Sequence, residues 1–155
     1  MRPHRVVLVA TAALTTAALG ACGSPSTTPD PDVVERHVAS QPAGDVVRDY
    51  LDAVQDDDPA TAAVLSTPGF AARDVWQDGE APDLDDVEVS DTTTPYDTTW
   101  SSEDLKAYAQ AVNVQATYTA DDGSTGTAGG ELGWGYVLVR HSDADPWLIA
   151  SAGQG

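Results

Sequence analysis

Apolar and polar residues alternate along the second half of the chain. Over residues 108–119, one set of alternate positions holds mainly apolar side chains, namely Tyr108, Gln110, Val112, Val114, Ala116 and Tyr118. A second alternating run covers 132–140, and residues 147–151 follow it after a turn at 142–146. A period of two residues is typical of half-buried strands, so these runs predict neighbouring antiparallel strands.

The stretch before these runs has the spacing of helices. An apolar face recurs at intervals of three and four residues over 44–57, formed by Val47, Tyr50, Leu51 and Val54. Asp45 is a candidate N-cap of this helix. Asp58 is the candidate cap of a second helix over 60–65, because a proline follows it at the preferred first position. Residues 70–76 predict a short third helix.

The remaining segments connect these elements. Val87 begins a strand that extends toward Tyr96, and the glycine-rich residues 121–130 predict a hairpin loop. Residues 98–106 are compatible with either a helical turn or a loop. Helices followed by a run of antiparallel strands are typical of the α+β class, and the length of 44–155 predicts a single domain.

The first 21 residues have the organisation of a secretory signal peptide. Arg2 and Arg5 make a basic start, an uncharged stretch covers 6–19, and small residues precede Cys22. The apolar stretch is about 14 residues long, whereas a membrane-spanning helix takes about 20. A cleaved signal is therefore favoured over a permanent transmembrane helix.

The end of this signal, Leu19-Gly20-Ala21-Cys22, resembles the lipobox of bacterial lipoproteins. The resemblance implies that the Cys22 sulfur receives a diacylglycerol, with acyl chains such as palmitate, and that Cys22 becomes the first residue of the mature protein. Two acyl chains make a stable anchor. The expected location is the extracytoplasmic face of the cell membrane. The alternative is an ordinary secretory signal with a cysteine at its end by chance.

Residues 22–43 are rich in Ser, Thr, Pro and Asp, a composition that predicts a tether between the anchor and the domain. A helical turn over 33–38 is the only folded element that this segment suggests. For about 21 residues, coil statistics give a reach of ~25 Å. The domain is therefore expected just off the membrane.

Composition narrows the choice of partners. Arg2 and Arg5 lie in the signal, so 5 of the 7 basic residues and all 25 acidic residues remain, a net charge of about −20. Such a charge argues against nucleic-acid binding and against docking on anionic headgroups. The scarcity of lysine, with Lys106 as the only one, is also typical of a high-GC, actinobacteria-like composition. Acidity alone therefore indicates no function.

The order of the elements resembles that of the NTF2-like superfamily. The helices at 45–57 and 58–65 and the closing motifs WGYVLVR at 134–140 and PWLI at 146–149 carry the resemblance, which covers 44–155. It implies N-terminal helices packed in a curved antiparallel sheet that forms a cone, as in SnoaL-like proteins and ketosteroid isomerase-like enzymes. Within that superfamily the chain resembles small actinobacterial lipoproteins.

Catalytic members of that fold place an acid–base carboxylate or an Asp–His pair inside the cone, and a fold without those residues implies no activity. The mature chain has two histidines, His37 in the predicted tether and His141 beside a turn, where a solvated ring is expected. No pair of carboxylates and no Ser-His-Asp order has a suitable spacing. The sequence predicts no catalytic residue and no enzyme.

No metal or cofactor is expected either. Zinc prefers Cys and His ligands, and the single cysteine is already assigned to lipidation. The aspartate clusters at 56–58, 83–86 and 121–122 lack the Asp-x-Asp-x-Asp-Gly loop and distal Glu of a calcium site.

Aromatic residues are the remaining candidates for a binding site. In a cone they would line an apolar pocket for a small molecule, and the candidates are Tyr50, Trp76, Tyr108, Tyr118, Trp134, Tyr136 and Trp147. The favoured alternative is that they form the core of a domain with few Leu, Ile and Phe. Trp134 and Trp147 are then expected to pack against the 45–57 helix. Gly133 and Gly135, on the opposite face, indicate sheet bending or close approach of a helix.

Three functions are compatible with these observations. A non-catalytic accessory or interaction module, held at the membrane by Cys22, is favoured, and its partner is an unidentified protein or small molecule. A small-molecule-binding cone comes next, and a SnoaL-like or ketosteroid isomerase-like enzyme last. A hollow interior would favour the second function, and a buried carboxylate or histidine at its floor would favour the third.

Overall fold

The computed structural model describes residues 28–38, 41–73, 83–100, 103–121 and 131–154. Its elements, in chain order, are α1 Pro31–Val38, α2 Ala43–Gln55, α3 Pro59–Val64, α4 Pro68–Ala71, β1 Asp83–Pro95, a 3-10 turn Thr98–Trp100, α5 Glu103–Lys106, β2 Gln110–Asp121, β3 Glu131–Arg140 and β4 Leu148–Gln154. No helix in these ranges is long and apolar enough to cross a membrane. The predicted signal peptide, Cys22, Trp76 and residues 122–130 of the predicted hairpin loop lie outside the described residues.

The four strands form one antiparallel sheet in the order β1-β2-β3-β4. β2 and β3 pair without interruption, from Gln110 opposite Arg140 to Thr119 opposite Glu131. The two outer strands are irregular: β1 shifts register twice, and β4 shifts once, at Ala150. The predicted α+β class with an antiparallel sheet is confirmed, and the sheet is open.

One face of α2 is buried against the sheet, which is why its apolar residues recur at helical spacing. Val46, Val47 and Tyr50 are almost completely buried. The Tyr50 ring lies between two other rings, 6.1 Å from that of Tyr136 on β3 and 6.0 Å from that of Phe70 on α4. Edge-on and tilted ring contacts at this distance stabilise a core beyond the area that they bury.

The start of α2 differs from the prediction. Pro42 occupies the N-cap position, and its carbonyl oxygen accepts from the backbone N–H groups of Asp45 and Val46. Asp45 is therefore not the cap; its carboxylate pairs with Arg48 one turn later. The Arg48 guanidinium also donates to the Val89 carbonyl oxygen at 2.9 Å, which joins α2 to the irregular part of β1.

The connection between α2 and α3 follows the predicted capping pattern. Asp57 adopts a left-handed conformation (φ 52°), and the Asp58 N–H donates to the Ala53 carbonyl at 2.8 Å. The Asp58 carboxylate then accepts from the Thr61 N–H at 3.1 Å, as expected for the N-cap of α3. One aspartate run thus ends one helix and starts the next.

The segment predicted as a tether contains the helix α1 over 31–38, where the sequence suggested a helical turn over 33–38. Unlike a free tether, this helix is docked on the domain. Asp30 caps α1 through the Asp32 N–H, at 2.8 Å, and its own N–H donates to the Thr61 hydroxyl at 2.6 Å. On the inner side of α1, Val33 and His37 are buried. Local composition is polar, but these two side chains give α1 a face that packs on the domain.

The chain after α3 runs along the outer edge of β4. The Thr67 N–H donates to the Ile149 carbonyl at 2.8 Å, and the Ile149 N–H donates to the Leu65 carbonyl at 2.9 Å. These two bonds pair part of an exposed strand edge and fasten the helices to the sheet.

Close approach at the predicted glycine involves strands rather than a helix. A Cβ atom at Gly135 would lie 3.2 Å from the side-chain amides of Asn113 and Gln115 on the neighbouring strand. At Gly133 a Cβ atom would meet open space. The two amides therefore fill the place of the missing Gly135 side chain.

We expect Ile149→Ala to lower the free energy of unfolding by about 2–5 kcal/mol, because Ile149 is fully buried beside Leu138 and its loss leaves a cavity. Trp134 and Trp147 pack at the edge of the core and stay partly exposed, so Ile149 is the better probe. Chemical denaturation gives the measurement, with Val38→Ala, at a site 68% exposed, as the control. Equal midpoints for the two variants would contradict the packing described.

Candidate functional site

Three of the aromatic residues that the sequence offered as pocket lining are buried among aliphatic side chains between the helices and the sheet. Tyr50, Tyr118 and Tyr136 are 1%, 5% and 2% exposed and belong to one continuous core. Burial raises the pKa of the Tyr118 hydroxyl, and a hydrogen bond with Tyr136 opposes that shift. These three residues therefore serve as core, which is the favoured interpretation of the pattern.

Trp147 has a structural contact that the sequence did not indicate. The Arg140 guanidinium lies 4.2 Å from the centroid of its ring. Arg140 also donates from Nε to Gln110 Oε1 at 2.7 Å and pairs with the Asp143 carboxylate. A cation placed over an aromatic face and fixed by an acid stabilises the β3–β4 turn. Trp147 therefore belongs to that turn.

Tyr108 lies elsewhere, in a half-open cleft of about 530 Å³ at the end of the sheet where β3 ends and β4 begins. We call this cavity the end cleft. Its lining residues are Thr67, Pro68, Gly69, Arg73, Tyr96, Asp104, Leu105, Ala107, Tyr108, His141, Ala150 and Ser151. They come from α4 and the residues beside it, the residue after β1, the stretch from α5 to the start of β2, the residue after β3 and the middle of β4.

Two rings in the end cleft stack on each other. The centroids of Tyr108 and His141 are 4.4 Å apart, and their planes differ by 22°. The register explains the contact: Gln110 opposes Arg140, so the residues just beyond these two meet across the strand pair. His141 is exposed, as the sequence predicted. The contact of His141 with Tyr108 could have been predicted from the sequence by extending the pairing of the two strands by one or two residues.

Tyr96 adds a third ring to the end cleft. Its backbone N–H donates to the Ala111 carbonyl at 3.0 Å, which holds the residue beside β2 after β1 has ended. Its side chain is 37% exposed, unusually open for a large apolar residue of this domain. The cleft therefore presents aromatic surface to solvent.

Two charged side chains of the end cleft, Arg73 and Asp104, form no ion pair with a described residue. Within the described part of the chain, Arg36, Arg48 and Arg140 each pair with an aspartate, whereas Arg73 makes no ion pair. The Arg73 Nε donates to the Gly69 carbonyl at 2.7 Å, a bond that orients the guanidinium. Asp104 forms no ion pair with a described residue either. The end cleft thus offers one cation and one anion.

A second concavity, of about 460 Å³, lies between α1 and α2. The two arginines that line it, Arg36 and Arg48, are already paired with aspartates. Arg36 binds Asp49 at 3.0 Å, and the Gln41 amide donates to the same carboxylate at 2.9 Å. Burial raises the pKa of Asp52 there, and the neighbouring Asp49 and Asp56 raise it further. This network holds α1 against α2 and leaves no unpaired cation for a ligand.

His37 is buried next to this network, not in a solvated tether. It is 3% exposed, and its Nδ1 has no hydrogen-bond partner among the described residues. Burial lowers the pKa of His37, while the Asp49 carboxylate partly opposes the shift. The neutral ring is therefore the form that packs under α1.

No described group of three or more His, Cys, Asp or Glu side chains has the arrangement of a metal site.

We expect His37 to make folding sensitive to mild acid. In the unfolded chain the pKa of His37 has the ordinary value of 6.5, and in the folded chain it is lower. At a pH between these two pKa values the unfolded state therefore binds more protons than the folded state. Its contribution to stability is complete above about pH 6.5 and is lost as the pH falls toward the lowered folded pKa.

Urea denaturation of wild type, His37→Leu and His141→Leu at about pH 7.5 and about pH 5.5 measures this effect. The loss of stability on acidification should shrink in His37→Leu and stay at the wild-type value in His141→Leu, because His141 is exposed. A shrinkage of the same size in both variants would show that His37 burial is not the cause.

Comparison with known proteins adds no family. No protein-family model matches the chain, and no curated protein and no solved structure is significantly similar to it. The resemblance to the NTF2-like superfamily therefore stays a prediction.

Proposed function

We propose that this protein is a membrane-anchored extracytoplasmic lipoprotein whose domain is a non-catalytic accessory or interaction module. The observation that carries the proposal is the sequence Leu19-Gly20-Ala21-Cys22, placed after a basic start and a short apolar stretch. A diacylglycerol on the Cys22 sulfur would hold the protein on the outer face of the cell membrane.

The position of the folded part fits this proposal. Asp30 is already fixed to Thr61, and only seven residues separate it from Cys22. Even as a flexible coil, seven residues have a typical reach of ~15 Å. The domain would then lie nearer the lipid surface than the typical reach of a tether over 22–43 predicts.

A surface binding site agrees better with the structure than an internal one. The space between α2 and the sheet is filled by side chains such as Tyr50, Leu138 and Ile149. The end cleft, by contrast, is open and is lined by Arg73 and Asp104, which form no ion pair with a described residue. This contrast favours an interaction module over a small-molecule-binding cone.

An enzyme of the SnoaL-like or ketosteroid isomerase-like kind is less well supported. Such chemistry needs an acid–base carboxylate or an Asp–His pair in a dry interior. The buried polar residues of the described part are His37, Thr61, Ser66 and Thr67, with no carboxylate among them. Although His37 is buried, it belongs to α1 and not to the sheet, where Tyr136 and Leu138 lie on β3.

We also propose that the domain belongs to the NTF2-like superfamily. The order of helices followed by four antiparallel strands, with α2 packed across the sheet, supports this assignment. An experimental structure of the whole chain would test it, through the curvature of the sheet and the way in which it closes around α2.

Cys22→Ser should abolish anchoring, because the hydroxyl of serine does not accept the diacylglycerol. We expect wild type to incorporate labelled palmitate and to partition into detergent, and the variant to do neither and to remain as a precursor or a released protein. Ser24→Ala is the control, since it changes a small polar residue two positions beyond the modified sulfur. Labelling of the Cys22→Ser protein at the wild-type level would refute the lipoprotein assignment.

A further inference from the structure

We propose that the end cleft binds a neutral saccharide, which stacks on Tyr108 and His141 and accepts and donates hydrogen bonds at Arg73 and Asp104. The inference specifies the ligand class of the interaction module proposed above and therefore rests on that function.

The shape of the end cleft suits a short oligosaccharide. Its volume of about 530 Å³ lies within the usual range of ligand sites, roughly 300–1,000 Å³. It is half open rather than enclosed, and both polar and apolar residues line it. A compact apolar ligand prefers an enclosed pocket, whereas a chain of sugar rings can lie in an open cleft with its ends in solvent.

Aromatic rings supply the apolar part of the recognition. A pyranose ring has one face of C–H groups that packs against the face of an aromatic ring. In the Tyr108–His141 stack each ring covers one face of the other, so a sugar would pack on an outer face of the pair. Both residues lie just beyond the last pair of β2 and β3, and the Tyr108 N–H donates to the Leu105 carbonyl at 3.3 Å. These contacts limit the ordering that ligand binding requires. Tyr96, 37% exposed, offers a further ring on the same cleft.

Polar recognition is available from Arg73 and Asp104, two side chains that form no ion pair with another described residue. Arg73 is held by its Nε bond to Gly69, so the rest of its guanidinium fork can donate to hydroxyl oxygens. The Asp104 carboxylate can accept from hydroxyl protons. Vicinal hydroxyls of a sugar both donate and accept, and they satisfy a cation and an anion in the same site.

Electrostatics favours a ligand without net charge. The whole chain carries a formal charge of −18, which repels anions at long range. The two charged side chains of the end cleft, Arg73 and Asp104, are of opposite sign, so together they give the site no net preference for a cation or an anion. A neutral sugar is not repelled by the net charge of the chain and needs no net charge in the cleft. A zwitterionic peptide end would use the same two charges, and it is the alternative that the experiment must separate.

Saturation-transfer NMR on the full-length, detergent-solubilised protein tests the proposal with maltotriose, chitotriose and mannotriose, and with triglycine as the zwitterionic probe. We expect saturation to reach the ring C–H protons of at least one trisaccharide. Arg73→Gln and Tyr108→Leu should each weaken that binding about tenfold, the effect of losing one good contact. Arg36→Gln is the matched control, because it removes an arginine charge outside the end cleft and should bind like wild type.

Denaturation midpoints close to that of wild type establish that each variant is folded. Asp104→Asn is a further variant of the same cleft and changes the side chain less. Saturation of triglycine alone, of no probe at all, or of a trisaccharide with equal strength in every folded cleft variant would overturn the saccharide site. Those results would leave the lipoprotein assignment intact, since palmitate labelling at Cys22 tests it separately.

Discussion

Burial of one face of α2 against the sheet is the constraint on which the rest of the structure depends. With a single cysteine the chain can form no internal disulfide, so apolar packing must hold the domain together. The ring of Tyr50, set between Tyr136 and Phe70, joins α2 to both the sheet and α4. Three tyrosines complete a core that is otherwise aliphatic, and side chains occupy the space between α2 and the sheet.

The same constraint places the candidate site at the margin of the fold. The hydrogen bonds of Ile149 with Leu65 and Thr67 bring the start of α4 alongside β4. At Ala150 the register of β4 shifts. The segments that surround this position leave the end cleft open between the helices and the sheet. The proposed binding site thus lies at an edge of the domain that several elements form, while the packed centre provides rigidity.

Electrostatics gives the few arginines distinct roles. Acidic residues outnumber basic ones 25 to 7, so each arginine is surrounded by possible partners. Arg36 joins α1 to α2, Arg48 joins α2 to β1, and Arg140 fixes the turn between β3 and β4. In the described ranges Arg73 is the arginine without an acidic partner, and it faces the end cleft. That exception, more than the aromatic content, sets the end cleft apart from the paired network between α1 and α2.

The sequence by itself determined the elements whose signal is local. The period-two strands, the apolar face of α2 and the Asp58 cap depend on neighbours within a few residues, and the α+β class follows from their order. Only the tertiary structure decided that α1 is docked and that His37 is buried, because polar segments fold through contacts with distant residues such as Thr61. The end cleft was decided in the same way: Tyr108, His141 and Arg73 are far apart in sequence, and strand pairing and helix docking bring them together.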